Sequence, residues 1–181
     1  MHSSLDGFAA TEDGGLDWIS FTDEQFKDVE MLTHDADAAL YGRKTYDMME
    51  GYWPTAAGQP NASVHDKEHA AWYNSVTKYV VSRANPKTGS KAEVIGQDLE
   101  AEVKKLKSQP GKNILMIGSP GTAQSLMQLG LIDEYALYLN PIVLSKGIKF
   151  YPQTNERVQL SLANSKTYQN GVVGLTYSLK K

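Results

Sequence analysis

Three short apolar runs, each closing on glycine, hydroxyl or guanidinium groups, constrain this chain more than any other feature. Ala38-Ala39-Leu40-Tyr41-Gly42 leads into Arg43, and Tyr79-Val80-Val81-Ser82 leads into Arg83. Ile114-Leu115-Met116-Ile117 leads into Gly118-Ser119-Pro120-Gly121-Thr122. Apolar runs of this length, bounded by turn residues, read as buried strands. In a chain that otherwise alternates strand-like and helix-like segments, they predict the strands of an α/β sheet. The chain has three arginines, and two of them stand directly after these runs. Phosphates are held at the carboxyl edge of such sheets, so the pattern points to a phosphorylated nucleotide cofactor.

The rest of the chain fits that frame. Residues 5–20 are rich in Gly and Asp and read as a long loop. Thr22-Asp23-Glu24-Gln25 has the capping-box pattern and opens a helix to about residue 34, with Phe26, Val29 and Leu32 on one face. A strand near 37–41 and a short helix over 43–50 follow. Residues 51–64 read as loop and 65–74 as a short helix. Lys78–Ser82 and Ala92–Ile95 read as strands. Asp98 caps a helix carrying Leu99, Val103 and Leu106, which Pro110-Gly111 stops. Asn113–Ile117 is a strand, 120–129 a helix ended by Gly130, and Glu134–Leu139 alternates like a strand. Val158–Gln169 and Val172–Leu179 flank Asn170-Gly171, a strong hairpin signal. With no repeat, linker or low-complexity tract, residues 1–181 read as one domain.

Composition excludes several classes. A net charge of −3 with 22% charged residues gives no basic surface for nucleic acid or an anionic membrane. No cysteine is present, so thiolate metal sites, disulfides and a cysteine nucleophile are excluded. No run approaches the roughly 18 apolar residues of a membrane span, and the N-terminus lacks a secretion-signal pattern. The expected location is the cytoplasm.

The junctions carry the chemistry. Glycine at a strand-to-helix turn lets backbone amides approach a pyrophosphate, and the helix N-terminus adds partial positive charge. Gly118 to Thr122 supplies such a turn, with Pro120 suited to a first helical position. It is neither a Walker loop, since no Lys follows the second glycine, nor GxGxxG. Gly42-Arg43-Lys44-Thr45 sets two cations at a helix start, where they oppose the helix dipole, and an anionic ligand explains that arrangement. Arg83, just beyond a strand end, suits the 2′-phosphate that distinguishes NADP from NAD. Each junction taken alone could be a plain turn or solvated surface. Together they favour a dinucleotide.

Ser4-Leu5-Asp6-Gly7-Phe8, Leu16-Asp17-Trp18, Leu40-Tyr41-Gly42-Arg43-Lys44-Thr45-Tyr46, Tyr79-Val80-Val81-Ser82-Arg83 and Ile117-Gly118-Ser119-Pro120-Gly121 occur in the order of a known family. So do Leu129 to Glu134, Pro141 to Gly147 and the terminal Asn170-Gly171-Val172-Val173 turn. Over essentially its whole length the chain resembles the dihydrofolate reductase-like superfamily. Within it, the chain is similar to stand-alone proteins like the C-terminal reductase domain of the bifunctional riboflavin-biosynthesis enzyme (the RibD C-terminal domain). The resemblance implies a three-layer α/β/α fold around a mostly parallel sheet that ends in a C-terminal β-hairpin. It also implies NADPH, a homodimer, and reduction of a small pteridine- or pyrimidine-like heterocycle or a carbonyl by hydride transfer. The family's activities include dihydrofolate and 5-amino-6-(5-phosphoribosylamino)uracil reduction.

Carried over by position, Gly42, Arg43, Lys44 and Thr45 cover the pyrophosphate and 2′-phosphate side. Ser82 and Arg83 lie near the adenosine phosphate, and Ile117 to Thr122 cradle the pyrophosphate. Ala9 and Ala10, in an early mobile loop, lie beside the nicotinamide. The family's first strand normally supplies several apolar residues before the Ser-Leu-Asp-Gly motif. Here only Met1, His2 and Ser3 precede it, so no substrate contact is carried over from that strand.

Hydride reduction also needs a proton source. Asp23 falls where dihydrofolate reductases place their acidic residue, and Asp6 is the second candidate. Either could have a purely local role, Asp23 on the helix dipole and Asp6 in its turn. Trp18 and Trp53 are candidates for the substrate side, though large aromatics commonly serve the core. His65 and His69 share a helix face, but the pattern is not HExxH and no third ligand is evident, so no metal is expected. The apolar alternating segment Tyr135–Leu139 is expected near a strand edge that a partner subunit covers. Two readings compete with a reductase: a non-catalytic nucleotide-binding protein of the same fold, and a phosphotransferase, against which the missing P-loop lysine argues.

Overall fold

The computed structural model describes residues 1–84, 86–89, 91–152 and 157–180. The chain runs β1 (His2–Ser3), β2 (Phe8–Ala10), α1 (Asp23–His34), β3 (Ala36–Gly42), α2 (Arg43–Glu50), α3 (Trp53–Ala56), α4 (Val64–Ser75) and β4 (Thr77–Val81). It continues through β5 (Ala92–Ile95), α5 (Leu99–Lys107), β6 (Asn113–Met116), α6 (Pro120–Gln128), β7 (Glu134–Leu139), β8 (Ile148–Lys149), β9 (Leu160–Thr167) and β10 (Val173–Leu179). These form an α/β fold with a parallel sheet and a C-terminal hairpin. They divide into two compact units, Glu24–Ser119 and the remainder, Met1–Asp23 with Pro120–Lys181.

In the unit Glu24–Ser119, the four strands lie in the order β5-β4-β3-β6 and every pair is parallel. Buried on both faces, β3 carries the longest apolar run, and Ala39 and Tyr41 are fully inaccessible. With Tyr46, Tyr73, Val76 and Val80 they make the core, against which Met49, Trp53, Trp72, Ala92 and Ile117 pack. Burying side chains of this size is worth about 1.5–3 kcal/mol each. Local signals set the helix ends. The Ser63 hydroxyl accepts from Asp66 N while the Asp66 carboxylate accepts from Ser63 N, a full capping box that starts α4. The Asp98 carboxylate accepts from Ala101 N at 3.1 Å and starts α5.

Lys78 is buried in β4, donating to the carbonyls of Tyr73 (2.7 Å) and Val76 (3.3 Å) at the C-terminal end of α4. It therefore neutralises a helix terminus rather than facing a ligand. Burial lowers its pKa.

In the other unit, β1-β7-β10-β9 form a mixed sheet, with β1 parallel to β7 and the hairpin strands antiparallel. Strand β7 is thus an interior strand paired on both sides, and Tyr135, Leu137 and Tyr138 are buried. The expectation of Tyr135–Leu139 beside a strand edge is corrected, because β1 and β10 already occupy its two flanks. Strand β9 is the long edge strand of this sheet, eight residues paired only to β10 among the described residues, and it is exposed along most of its length.

The hairpin turn has three residues. Tyr168 N donates to the Val172 carbonyl, Gly171 N donates to the Tyr168 carbonyl, and Gly171 sits at φ +80°. This is a type I turn closed by a left-handed glycine rather than the two-residue turn that Asn-Gly most often makes. The early loop is more ordered than its composition suggests, since β2 pairs with β8 across Phe8↔Lys149 and Ala10↔Ile148. Among the described residues no helix is long and apolar enough to cross a membrane.

Candidate functional site

Within the unit Glu24–Ser119, the strand register brings the three junctions to one edge. Gly42 pairs with Val81, and Leu40 with Met116, so the carboxyl ends of β4, β3 and β6 lie side by side. The chain passes from β3 to β4 and β5 in one direction and returns to β6 on the other flank of β3. The gap between β3 and β6 is therefore a topological switch point, the place where α/β sheets bind ligands beyond their carboxyl ends.

Two turns meet at that point. Gly42 N donates to Ser119 Oγ at 2.9 Å. Gly118 and Ser119 both have positive φ, +67° and +61°. Ser119 is buried, and a Cβ on Gly118 would come within 3.3 Å of Thr45 Cγ2. Glycine at 118 is thus favoured by its φ, and a side chain there would also crowd the Thr45 methyl. The left-handed Ser119 stores local strain of the kind that clusters at ligand sites. Ser119 leads directly into Pro120, Gly121 and Thr122, the first turn of α6, with proline at the first helical position as expected.

Helix α2 begins on this edge with Arg43 and Lys44. Its N-cap is Gly42, which offers no side chain to the first-turn amides, and no acidic residue stands in that turn. Uncapped N–H groups plus two cations make a donor set suited to an anion.

Arg43 is not idle in the structure. Its Nε donates to Asp47 Oδ2 at 2.7 Å and its Nη2 lies 2.7 Å from Asp47 Oδ1. Its Nη1 donates to the Lys87 carbonyl at 3.2 Å. Lys44 is exposed. At the end of β4, Ser82 N donates to the Ile95 carbonyl and Ser82 Oγ accepts from Ala84 N. Gly96 packs so closely that a Cβ there would lie 3.2 Å from Ser82 N and O. Arg83 is exposed, and its carbonyl accepts from Gln97 Nε2.

Trp53 belongs to this unit as well, but it works as packing. Its Nε1 donates to Met49 Sδ, its ring centroid is 4.0 Å from that of His69, and its face joins the core. His65 and His69 have ring centroids 5.5 Å apart within the same aromatic cluster, with Phe26 stacked on His65 at 4.1 Å. Burial, reinforced by the charge of His65, lowers the His69 pKa to about 4, against a smaller opposing effect of Asp66. Among the described residues no group of three or more His, Asp or Glu is placed to hold a metal ion.

The remaining candidates belong to the other unit. The Asp6 carboxylate accepts from Ser4 Oγ (2.7 Å), Leu144 N (3.1 Å) and Ser145 N (2.7 Å). The Ser4 hydroxyl first, and then the two amides, hold its pKa below the ordinary carboxylate value. An occupied carboxylate kept ionised suits a clamp between the Ser4–Phe8 turn and the 142–147 segment better than a proton donor. Ala9 and Ala10 are buried in β2, and the Gly147 backbone is pressed against the Ala10 carbonyl. Trp18 is half-buried, and its indole N–H has no partner among the described residues. Asp23 is exposed and is the first residue of α1.

Sequence reasoning missed Asp47 and the Lys87 carbonyl. The Arg43-x-x-x-Asp47 spacing, which pairs opposite charges on a helix face, was the available signal for the first. Nothing local encodes the second.

The RibD C-terminal domain model matches residues 1–174. The chain belongs to the RibD C-terminal domain family. It is 33% identical over 177 residues to the Bacillus subtilis protein YyaP, covering 96% of this chain and 89% of that one. Among solved structures it is similar to a putative riboflavin biosynthesis protein from Shewanella sp. PV-4, with a TM-score of 0.78 and 22% identity over 100% of this chain and 97% of that one. A pyrimidine reductase-like protein from Corynebacterium diphtheriae follows with a TM-score of 0.67 and 15% identity, over 99% and 90% of the two chains. These likenesses establish the shared fold. The glycine, hydroxyl and arginine junctions described above are this RibD C-terminal chain's own.

Proposed function

We propose that the chain is an NADPH-dependent reductase acting on a small pteridine- or pyrimidine-like heterocycle or a carbonyl compound. The observation that carries this reading is the meeting of two junctions at the β3/β6 switch point, with the third beside them at the carboxyl end of β4, in a member of a reductase family. Gly42 to Thr45 and Ile117 to Thr122 are the residues suited to the pyrophosphate, by their uncapped amides and close-packed glycine. Arg43, Lys44 and Arg83 are the cations suited to the 2′-phosphate, with Ser82 beside them. The donor set fits the cofactor in chemistry: amides and cations, with the Asp47 carboxylate paired to Arg43 against them.

When bound, NADPH supplies the hydride. The chain's own residues then hold the phosphates and deliver the proton, which we assign to Asp23. Fluorescence titration tests the cofactor and a screen over pteridine, pyrimidine and quinonoid acceptors tests the activity. NADPH should bind at least tenfold more tightly than NADH, since a charge-assisted contact is worth about 1.5–3 kcal/mol. Arg83→Ala should narrow that gap by weakening NADPH. Equal affinity for the two cofactors, or NADPH binding without turnover of any acceptor, would overturn the assignment.

A further inference from the structure

We propose that Asp47 tunes the preference for a phosphorylated cofactor by occupying, on Arg43, the position that the ligand phosphate needs. The inference rests on the dinucleotide reading above and adds to it a residue that opposes binding.

Arg43 is the first residue of α2, where a cation lies against the positive end of the helix dipole. A charge in that position calls for a counter-anion, and the chain supplies its own. The Nε–Oδ2 and Nη2–Oδ1 distances of 2.7 Å describe a two-pronged contact in which the fork of the guanidinium meets two oxygens of one anion. A carboxylate and a phosphate match that fork equally well. The third nitrogen, Nη1, is turned to the Lys87 carbonyl on the β4–β5 connection. That connection is fixed to α2 a second time, by Gly89 N donating to Tyr46 Oη at 2.8 Å. Every nitrogen of Arg43 therefore has an internal partner, and two of the three face Asp47.

An incoming 2′-phosphate meets Asp47 on the guanidinium it would use. It must displace the carboxylate from Arg43 or share the guanidinium with it against like-charge repulsion. Side-chain exposures of 35% for Arg43 and 51% for Asp47 make this a weak ion pair. A phosphate dianion can exchange for it, yet the exchange subtracts from the affinity. NADH lacks the 2′-phosphate and escapes that penalty, so Asp47 compresses the discrimination between the two cofactors.

The test uses the full chain and its Asp47→Asn and Asp47→Glu variants, titrated with NADPH, NADH and adenosine 2′,5′-bisphosphate. Removing the charge should tighten NADPH and the bisphosphate by about three- to tenfold and leave NADH unchanged. Asp47→Glu keeps the charge and should behave like the wild type. Unchanged or weaker NADPH binding in Asp47→Asn overturns the proposal. So does an equal gain for NADH, or a Glu variant that behaves like the Asn variant. Failure of all three proteins to bind NADPH would instead remove the dinucleotide reading and this proposal with it, whereas binding by all three with one unaltered preference removes this proposal alone. Thermal melts of the variants confirm that each is folded before titration.

Discussion

The backbone N–H of Gly42 donates to the hydroxyl of Ser119 at 2.9 Å, tying the β3–α2 turn to the β6–α6 turn across 77 residues of sequence. Ser119 holds φ +61°, which is costly for a residue with a Cβ, by roughly 1–2 kcal/mol. Glycine would adopt the same backbone without strain, so serine is there for its hydroxyl. Ser119→Ala should lower the free energy of unfolding by about 1–2 kcal/mol, because it keeps the strain and leaves the Gly42 amide without its partner. Ser119→Gly loses the same hydrogen bond but sheds the strain, and should cost less. Equilibrium urea unfolding of the two variants checks the order, and an Ala variant as stable as wild type would remove the hydroxyl from the account.

Stability should depend on pH through His69. The ordinary histidine pKa is 6.5, and burial first, then the neighbouring His65, lowers it to about 4 in the fold. Between pH 4 and pH 6.5 the unfolded chain takes up a proton at this residue and the folded chain does not. Acid therefore favours unfolding: the contribution is fully present above pH 6.5 and is lost as pH falls toward 4. The slope from one such group is about 1.4 kcal/mol per pH unit at most. His69→Phe keeps an aromatic ring beside Trp53 and Trp72 and should flatten that part of the curve. His2, lowered to about 3 mainly by burial, acts in the same direction and keeps some slope in the variant. Urea midpoints across the acid range, with wild type and variant superimposed, would overturn the assignment.

How much of this was legible in the sequence depended on the range of each interaction. The Asp98 cap, the apolar run of β3 and the glycine stop at Gly130 are encoded within a few residues, and the structure has them where the sequence put them. The three strand-end junctions were readable for the same reason, since each is a strand end plus its next few residues. Their convergence depended on register, which the parallel topology supplied. What the sequence hid was pairing at a distance. Strand β2 has three residues and no alternation long enough to read, and its partner β8 lies far along the chain, with Phe8 opposite Lys149 and Ala10 opposite Ile148. The same limit misplaced Tyr135–Leu139, whose alternation announces a strand without saying how many neighbours it has. Asp6 looked like a chemical group because its partners, the amides of Leu144 and Ser145, are equally distant.

We propose that the chain pairs with a second copy of itself, and the structure moves the argument for a dimer to β9. That strand is bonded to β10 on one side only, with Leu162 55% exposed. An open strand edge with apolar side chains is an invitation to pairing. Light scattering at micromolar concentration should give twice the 20.0 kDa mass of the chain. Leu162→Lys places a charge on that edge and should shift the equilibrium toward monomer. A wild-type mass of a single chain would rule the dimer out.

The assignment of the proton to Asp23 separates two roles that one residue can play. At the first position of α1 a carboxylate favours the helix dipole, and its loss costs only about 0.3–1 kcal/mol of stability. As a proton donor or relay it contributes roughly 10²–10⁴-fold to turnover. Asp23→Asn should therefore leave NADPH affinity and melting temperature nearly unchanged while turnover of a surrogate acceptor falls by two orders of magnitude or more. Full activity in that variant would transfer the proton elsewhere, and the structure narrows where. Asp6 is a poor recipient of the role, because Ser4 and two backbone amides hold its carboxylate ionised and occupied. Ordered water would then be the source, and turnover should fall with rising pH without the titration of any single carboxylate. A pH profile of the Asn variant, set beside that of Asp6→Asn, distinguishes these cases, since loss of activity in Asp6→Asn together with a lowered melting temperature marks a clamp rather than an acid.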